Sequence, residues 1–212
     1  MKARKILWVL FVVFAIVIGL YPIAYYVFDM SGGLLGTKSL DILQDAIWKT
    51  VFYIHISFGG IALLLGWSQF SSRLRARNMQ LHRRLGIAYL VCVFMSGLAG
   101  LYIALYASGG IIAQLGFTGL AVGWLFTTFR AYSAVLKRDL RSHENYMIRS
   151  YALCFAAVML RLWLPLFQFG LHIEFFAGYR IIAWLCWVPN LLVAEAIIRL
   201  KSGKRIERAT VQ

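Results

Sequence analysis

Six long apolar runs separated by short polar connections make up most of this 212-residue chain. The runs cover about residues 6–28, 46–70, 85–107, 117–136, 146–169 and 179–200. At about 1.5 Å of helix per residue, a run of roughly 20 apolar residues spans a hydrocarbon core of about 30 Å. The pattern therefore predicts an all-α, polytopic membrane protein whose six transmembrane helices form one bundle, a single domain over residues 1–212.

The charged residues are few, and most of them lie in the connections. The chain is 61% hydrophobic and 14% charged, which is more apolar than a soluble domain of this size can bury. The net charge of +14 is spread over short connections, which argues against nucleic-acid binding. The basic clusters are Lys2, Arg4, Lys5, then Arg73, Arg75, Arg77, Arg83, Arg84, then Lys137, Arg138, Arg141, and finally Lys201, Lys204, Arg205, Arg208. Because basic connections stay in the cytoplasm, we expect a multi-pass protein of the bacterial inner membrane with both termini cytoplasmic.

Two histidines stand at helix starts on the expected cytoplasmic side. His82 precedes the third run and His143 precedes the fifth, so both imidazoles are expected at one depth near the inner rim. Imidazoles from two helices can ligate the iron of a b-type haem from both sides, and arginines can neutralise its propionates. Arg83 and Arg149 are close enough in sequence for that second role. The pattern favours haem b between the third and fifth helices, with His82 and His143 as metal ligands.

Other interpretations of these two histidines stay open. Each stands among basic residues at a helix start, where side chains contact anionic lipid headgroups. Asp139 and Glu144 flank His143 and would suit a hard metal, although both lie in a connection. Haem ligation, headgroup contact and hard-metal binding are thus three alternatives.

His55 and Arg161 form a second polar level nearer the expected outer side. Each is 18 residues from the inner rim, His55 counted back from Arg73 and Arg161 counted forward from His143. At about 1.5 Å per residue both lie roughly 27 Å from that rim, so we expect them to meet inside the bundle. A guanidinium within a membrane needs acceptors or an anion. Both residues are candidates for binding a cofactor or an anion, and the alternative for His55 is a hydrogen-bonded core histidine.

One acidic residue of the sixth run, Glu195, falls at the level of Arg149. An ion pair between the two is the favoured interpretation, with proton relay as the alternative. The sequence has no G-x-S-x-G, P-loop or H-E-x-x-H pattern. Whether the protein is an enzyme therefore stays open.

Several short segments taken together form a specific pattern. They are His55-Ile-Ser-Phe-Gly-Gly, Gly66-Trp-Ser-Gln-Phe, His82-Arg-Arg-Leu-Gly, His143-Glu-Asn-Tyr-Met-Ile-Arg-Ser-Tyr-Ala-Leu, Leu160-Arg161 and Trp187-Val-Pro-Asn. From about His55 to Arg199 the chain resembles a widespread bacterial family of predicted membrane proteins known only as a domain of unknown function. The family pattern has Trp where this chain has Tyr146, which keeps an interfacial aromatic. The architecture is also similar to that of cytochrome b561 and ferric reductases, although the histidines do not fall at that group's paired positions.

Two functional hypotheses follow. The first is a cytochrome b-type electron-transfer protein that exchanges electrons with a quinone or a redox partner subunit. The second is a cofactor-free membrane protein that binds a lipid or a small anion at His55 and Arg161, or a subunit of a larger complex. In both, the lipid bilayer is the main partner and nucleic acid is not one.

Overall fold

The computed structural model describes residues 2–28 and 33–210, and only the backbone of residues 2–4 and 204–210. Within this part of the chain, six helical segments are long and apolar enough to cross a membrane: Lys5–Val27, Ala46–Phe70, Met79–Ala104, Ile111–Leu136, Leu140–Gly170 and Phe175–Gly203. They confirm the prediction of an all-α protein with six spans. The side chains of the basic residues Lys2, Arg4, Lys204, Arg205 and Arg208 lie outside the described part.

The spans alternate in direction, so the bundle has two ends. At one end, Thr37 Oγ1 and Ser108 Oγ lie 2.8 Å apart and join the first connection to the third. We call this the Ser108 end. At the other, Lys201 Nζ forms an ion pair with Glu144 Oε1 at 2.7 Å and joins the last helix to the start of the fifth span. We call this the His143 end.

Reporter fusions test which side of the membrane each end faces. The basic connections predict that the His143 end is cytoplasmic. A fusion after Gly110 should then report the outer side, and one at the C-terminus the cytoplasm. A phosphatase reporter and a fluorescent-protein reporter at both positions provide the measurement, and signals from the same side would contradict the predicted topology.

Polar first turns make several helices longer than their apolar runs. The third span begins at Met79 rather than 85, and the fifth at Leu140 rather than 146. Asn78 Oδ1 accepts a backbone N–H at 2.8 Å and Asp139 Oδ1 accepts another at 3.0 Å, which caps these two starts. Hydrogen bonds from Ser142 hold the pKa of Asp139 below its usual value. Polarity alone does not end a helix, because charged side chains in its first turn can reach water.

The bounds of the other four spans agree with the predicted runs to different degrees. The second span, Ala46–Phe70, agrees with its predicted range, and the first, Lys5–Val27, differs by one residue at each end, whereas the fourth and sixth begin at Ile111 and Phe175 rather than 117 and 179.

The fifth and sixth spans are each interrupted. The fifth consists of helices Leu140–Cys154 and Ala156–Pro165 and a π-helical turn Leu166–Gly170, and the sixth of helices Phe175–Leu185 and Val188–Thr210. Pro189, the second residue of the last helix, lacks the N–H that a continuous helix needs. Asn190 Nδ2 donates to Ala152 O at 3.1 Å and to Cys186 O at 3.0 Å, so a side-chain amide supplies hydrogen bonds beside both breaks.

Close contacts between spans depend on small residues. A Cβ built on Gly66 would lie 2.2 Å from the Tyr151 ring, and one on Gly60 would lie 2.6 Å from Gly19 O of the first span. Ala62, between these two glycines, is completely buried. Small residues let helix backbones approach where lipid removes the hydrophobic force between helices.

A closed chain of hydrogen bonds joins the third, fourth and fifth spans in the core. Tyr89 Oη lies 2.7 Å from Ser150 Oγ, which lies 2.6 Å from Thr128 Oγ1. Thr128 Oγ1 donates to Trp124 O at 2.8 Å, and Trp124 Nε1 donates to Tyr89 Oη at 3.5 Å. Because these hydrogen bonds begin and end at Trp124, each of the three hydroxyl groups donates one bond and accepts another. Such a fully bonded network fits a structural role.

Candidate functional site

A cavity of about 250 Å³ lies inside the bundle and extends to the Ser108 end. All six spans and the first connection contribute to its wall. Most of the wall is apolar, and its main polar groups are His55, Arg161, Trp48, Tyr25, Tyr179 and Lys38. Apolar walls with a few polar groups are typical of sites for small ligands.

His55 is fixed by the third span. Its Nδ1 lies 2.9 Å from Ser96 O and donates to it, and Ser96 Oγ donates to His55 O at 2.9 Å. Gly100 makes room for the ring, because a Cβ there would lie 3.0 Å from Nδ1. Since Nδ1 carries the proton, Nε2 keeps its lone pair. His55 is therefore hydrogen-bonded in the core, as one interpretation of the sequence holds, and it also lines the cavity.

Arg161 brings a permanent positive charge to the cavity. Its Nη1 donates to Ala157 O at 3.0 Å, and its guanidinium carbon lies 4.6 Å from the centre of the Tyr21 ring. Its Nε is buried without a hydrogen-bond partner. Among the described residues that line the cavity there is no Asp or Glu. The charge is thus partly stabilised by a carbonyl and a ring, but no acidic residue in the described part of the chain forms an ion pair with it.

His55 and Arg161 meet at this cavity, as their equal spacing from the inner rim predicts. Both side chains line it, and the charge of Arg161 acts on the His55 imidazole. Tyr25 and Tyr179 also lie within electrostatic reach of the guanidinium. The helical register was sufficient to identify the histidine and the arginine, whereas the surrounding tyrosines had no distinguishing pattern in the sequence.

Two further polar residues of the wall were not predicted. Trp48 is 2% exposed, and its Nε1 is buried without a hydrogen-bond partner. Lys38 lies in the first connection, where its Nζ donates to Tyr106 O and, at 3.1 Å, to Ser108 Oγ. Burial lowers the pKa of Lys38 to about 8, so the side chain is mainly charged at pH 7. The available sequence signal was a single lysine in a connection whose other charged residues are aspartates.

His82 and His143 lie near each other at the His143 end, as predicted. Arg75 and His143 both lie within electrostatic reach of the His82 ring. His143 Nδ1 donates to Ala131 O at 2.8 Å, whereas His82 Nδ1 is buried without a partner. Among the residues that the structure describes, no group of three or more His, Cys, Asp or Glu side chains could hold a metal ion. Any metal bound here would therefore depend on the two imidazoles and a non-protein ligand such as a porphyrin.

Arg149 forms the predicted ion pair with Glu195. Its Nε donates to Glu195 Oε1 at 2.5 Å and its Nη2 to Oε2 at 2.9 Å, a bidentate contact between the fifth and sixth spans. The guanidinium carbon also lies 5.0 Å from the centre of the Tyr146 ring. Arg83, the other predicted propionate partner, is exposed.

These features define the protein as a polytopic helical membrane protein with a polar-lined cavity inside a six-span bundle. The chain belongs to the family Predicted membrane protein (DUF2306), which it matches over residues 52–198. The matched segment includes His55, His82, His143 and Arg161, whereas Lys38 precedes it. No curated protein and no solved structure matches the chain.

Proposed function

We propose that the protein binds a lipophilic anion in the cavity, with Arg161 as its counter-charge. The observation that carries the proposal is a guanidinium inside the bundle whose buried Nε has no hydrogen-bond partner among the described residues, in a cavity whose described lining residues include no carboxylate. An arginine at the centre of a membrane helix costs about 2.5–3.5 kcal/mol or more. The contact with Tyr21 offsets roughly 2 kcal/mol of this cost. A bound anion would offset the remainder.

The polar groups of the wall suit a carboxylate. Arginine can bind a carboxylate through two parallel N–H bonds, and the Trp48 Nε1 is a further N–H donor without a partner in the same wall. A quinone would accept these hydrogen bonds as well, but it is neutral and would leave the Arg161 charge uncompensated. Charge therefore favours an anion over a quinone at this position.

The cavity also sets the size of the ligand. Sites for drug-sized molecules measure about 300–1,000 Å³, so a cavity of about 250 Å³ suits a smaller one. Ile56, Phe117 and Leu160 are among its apolar lining residues. A carboxylate with one short apolar chain fits this combination better than a whole membrane lipid.

Isothermal titration calorimetry of the purified full chain with octanoate tests the proposal. We expect the wild type to bind octanoate and Arg161→Leu to weaken binding at least tenfold. The reason is that a hydrogen bond to a charged group contributes about 1.5–3 kcal/mol, and a factor of ten corresponds to about 1.4 kcal/mol. Equal affinity in the two proteins would overturn the proposal, and so would a wild type that does not bind octanoate.

Arg130→Leu is the matched control for this experiment. The Arg130 guanidinium carbon lies 5.2 Å from the centre of the Tyr146 ring, so it shares the aromatic contact of Arg161. It is exposed and lies outside the cavity lining. Octanoate affinity should therefore be unchanged in Arg130→Leu.

A second proposal, haem binding with electron transfer, rests on His82 and His143. The bond from His143 Nδ1 to Ala131 O leaves Nε2 free for a metal, which is the usual arrangement of a ligating histidine. The buried His82 Nδ1 without a partner also fits a ligand at this position. A haem b held here would supply one-electron transfer to a quinone or a partner subunit. The propionates fit less well, because Glu195 already engages Arg149.

Absorption spectroscopy tests the haem proposal. We expect the purified protein, supplied with haem, to show a Soret band that His143→Ala removes while the protein stays monodisperse. His172→Ala is the control, because His172 lies exposed in the turn before the sixth span. A preparation without a Soret band after haem addition would contradict this proposal and leave the anion site unaffected.

A further inference from the structure

Two cations line the same cavity at different depths. Arg161 lies nine residues before Gly170, the last residue of the fifth span, or about 14 Å along a helix at 1.5 Å per residue. Lys38 lies at the Ser108 end, where its Nζ contacts Tyr106 O and Ser108 Oγ. Both side chains line the cavity, so a positive group lies deep inside it and another at its Ser108 end.

From this arrangement we infer that the ligand is a dianion with a carboxylate at each end of a short apolar body, and that Lys38 binds the end opposite Arg161. The inference rests on the proposed anion binding at Arg161. No Asp or Glu among the described lining residues neutralises either cation. A monocarboxylate would compensate one of the two charges, whereas a dicarboxylate compensates both and places its apolar chain against the apolar wall.

Lys38 has hydrogen-bonding capacity left for a ligand. An ammonium group has three donors, and two acceptors, Tyr106 O and Ser108 Oγ, are neutral. The alternative role for Lys38 is only to tie the first connection to the third. Thr37 distinguishes the two roles, because its Oγ1 also joins the first connection to Ser108 Oγ, at 2.8 Å, but it carries no charge. A substitution of Thr37 therefore weakens the link between the connections without removing a cation.

Calorimetry with suberate and octanoate, which share an eight-carbon chain, tests the inference on the full-length protein at pH 7. We expect suberate to bind the wild type at least tenfold more tightly than octanoate. Lys38→Met should reduce suberate affinity to the affinity of the wild type for octanoate. Thr37→Val should retain the preference for suberate.

Three other results of these titrations would overturn the inference, and they differ in what they imply for the proposed function. Octanoate binding that depends on Arg161, without a preference for suberate, overturns the inference and leaves the proposed function standing. A preference that Thr37→Val removes as fully as Lys38→Met also overturns it, because the tie between connections would then be responsible. Failure of both acids to bind overturns the inference and the proposed function together.

Discussion

Gly66→Ala is expected to destabilise the bundle by about 3 kcal/mol, at the upper end of the range for overpacked cores. The added Cβ would lie 2.2 Å from Tyr151 Cε2 and 2.9 Å from the Tyr89 ring. Tyr151 cannot move aside cheaply, because it is 1% exposed and its Oη donates to Leu63 O at 2.8 Å. The φ of −67° at Gly66 is one that alanine readily adopts, so the steric contact accounts for the effect.

Gly123→Ala provides the comparison for this substitution. A Cβ at Gly123 would lie 3.5 Å from Leu153 Cδ1, an ordinary contact. Alanine is favoured over glycine within a helix by about 1 kcal/mol, so this variant should be at least as stable as the wild type. The midpoint of thermal unfolding in detergent and the monodisperse fraction on size exclusion provide the measurements. Equal midpoints for the two variants would show that the contact at Gly66 is not tight.

Arg161→Leu is expected to have the second largest effect, a loss of ligand binding without a loss of stability. The guanidinium has a carbonyl and a ring as partners, and none of the ion pairs among the described residues involves it. A charge within a membrane span is costly, so its replacement by an apolar side chain should not destabilise the fold. The unfolding midpoint without ligand should therefore equal or exceed that of the wild type, while the stabilisation that octanoate gives the wild type disappears.

Arg149→Leu should change stability in the opposite direction. This substitution removes one half of a bidentate ion pair and leaves the Glu195 carboxylate without its partner. The unfolding midpoint should fall, whether or not octanoate is present. If Arg161→Leu lowered the midpoint as Arg149→Leu does, Arg161 would be a structural residue and the anion proposal would lose its basis.

Much of the fold and part of the site could be predicted from the sequence because the membrane restricts the options. Apolar runs identify six spans since every backbone polar group within lipid must be bonded inside a helix. Because the spans are helices, the number of residues from a helix end gives the depth of a side chain in the membrane. This count predicted that His55 lies at the level of Arg161 and Arg149 at the level of Glu195. An ionisable side chain near the middle of a span is costly in lipid, so it is expected to face the interior.

The features that were missed depend on contacts between segments distant in sequence. Lys38 reaches the cavity because the first connection folds back onto Ser108. The hydrophobic periodicity of the sequence does not predict this contact. Tyr21 covers Arg161 through packing of the first span on the fifth. The early helix starts depend on single capping residues such as Asn78, and the hydropathy of a window of 20 residues does not detect them.

The enclosure of Arg161 depends on two spans that are far apart in the sequence. Tyr21 belongs to the first of the six described spans and Tyr179 to the sixth, and both lie close to the guanidinium. In a chain that ends before Tyr179, the sixth span would be missing, and lipid would lie beside the guanidinium in its place. A charge exposed in this way is costly in hydrocarbon. Arg161 is therefore fully enclosed only when the first and the sixth spans both pack beside the fifth.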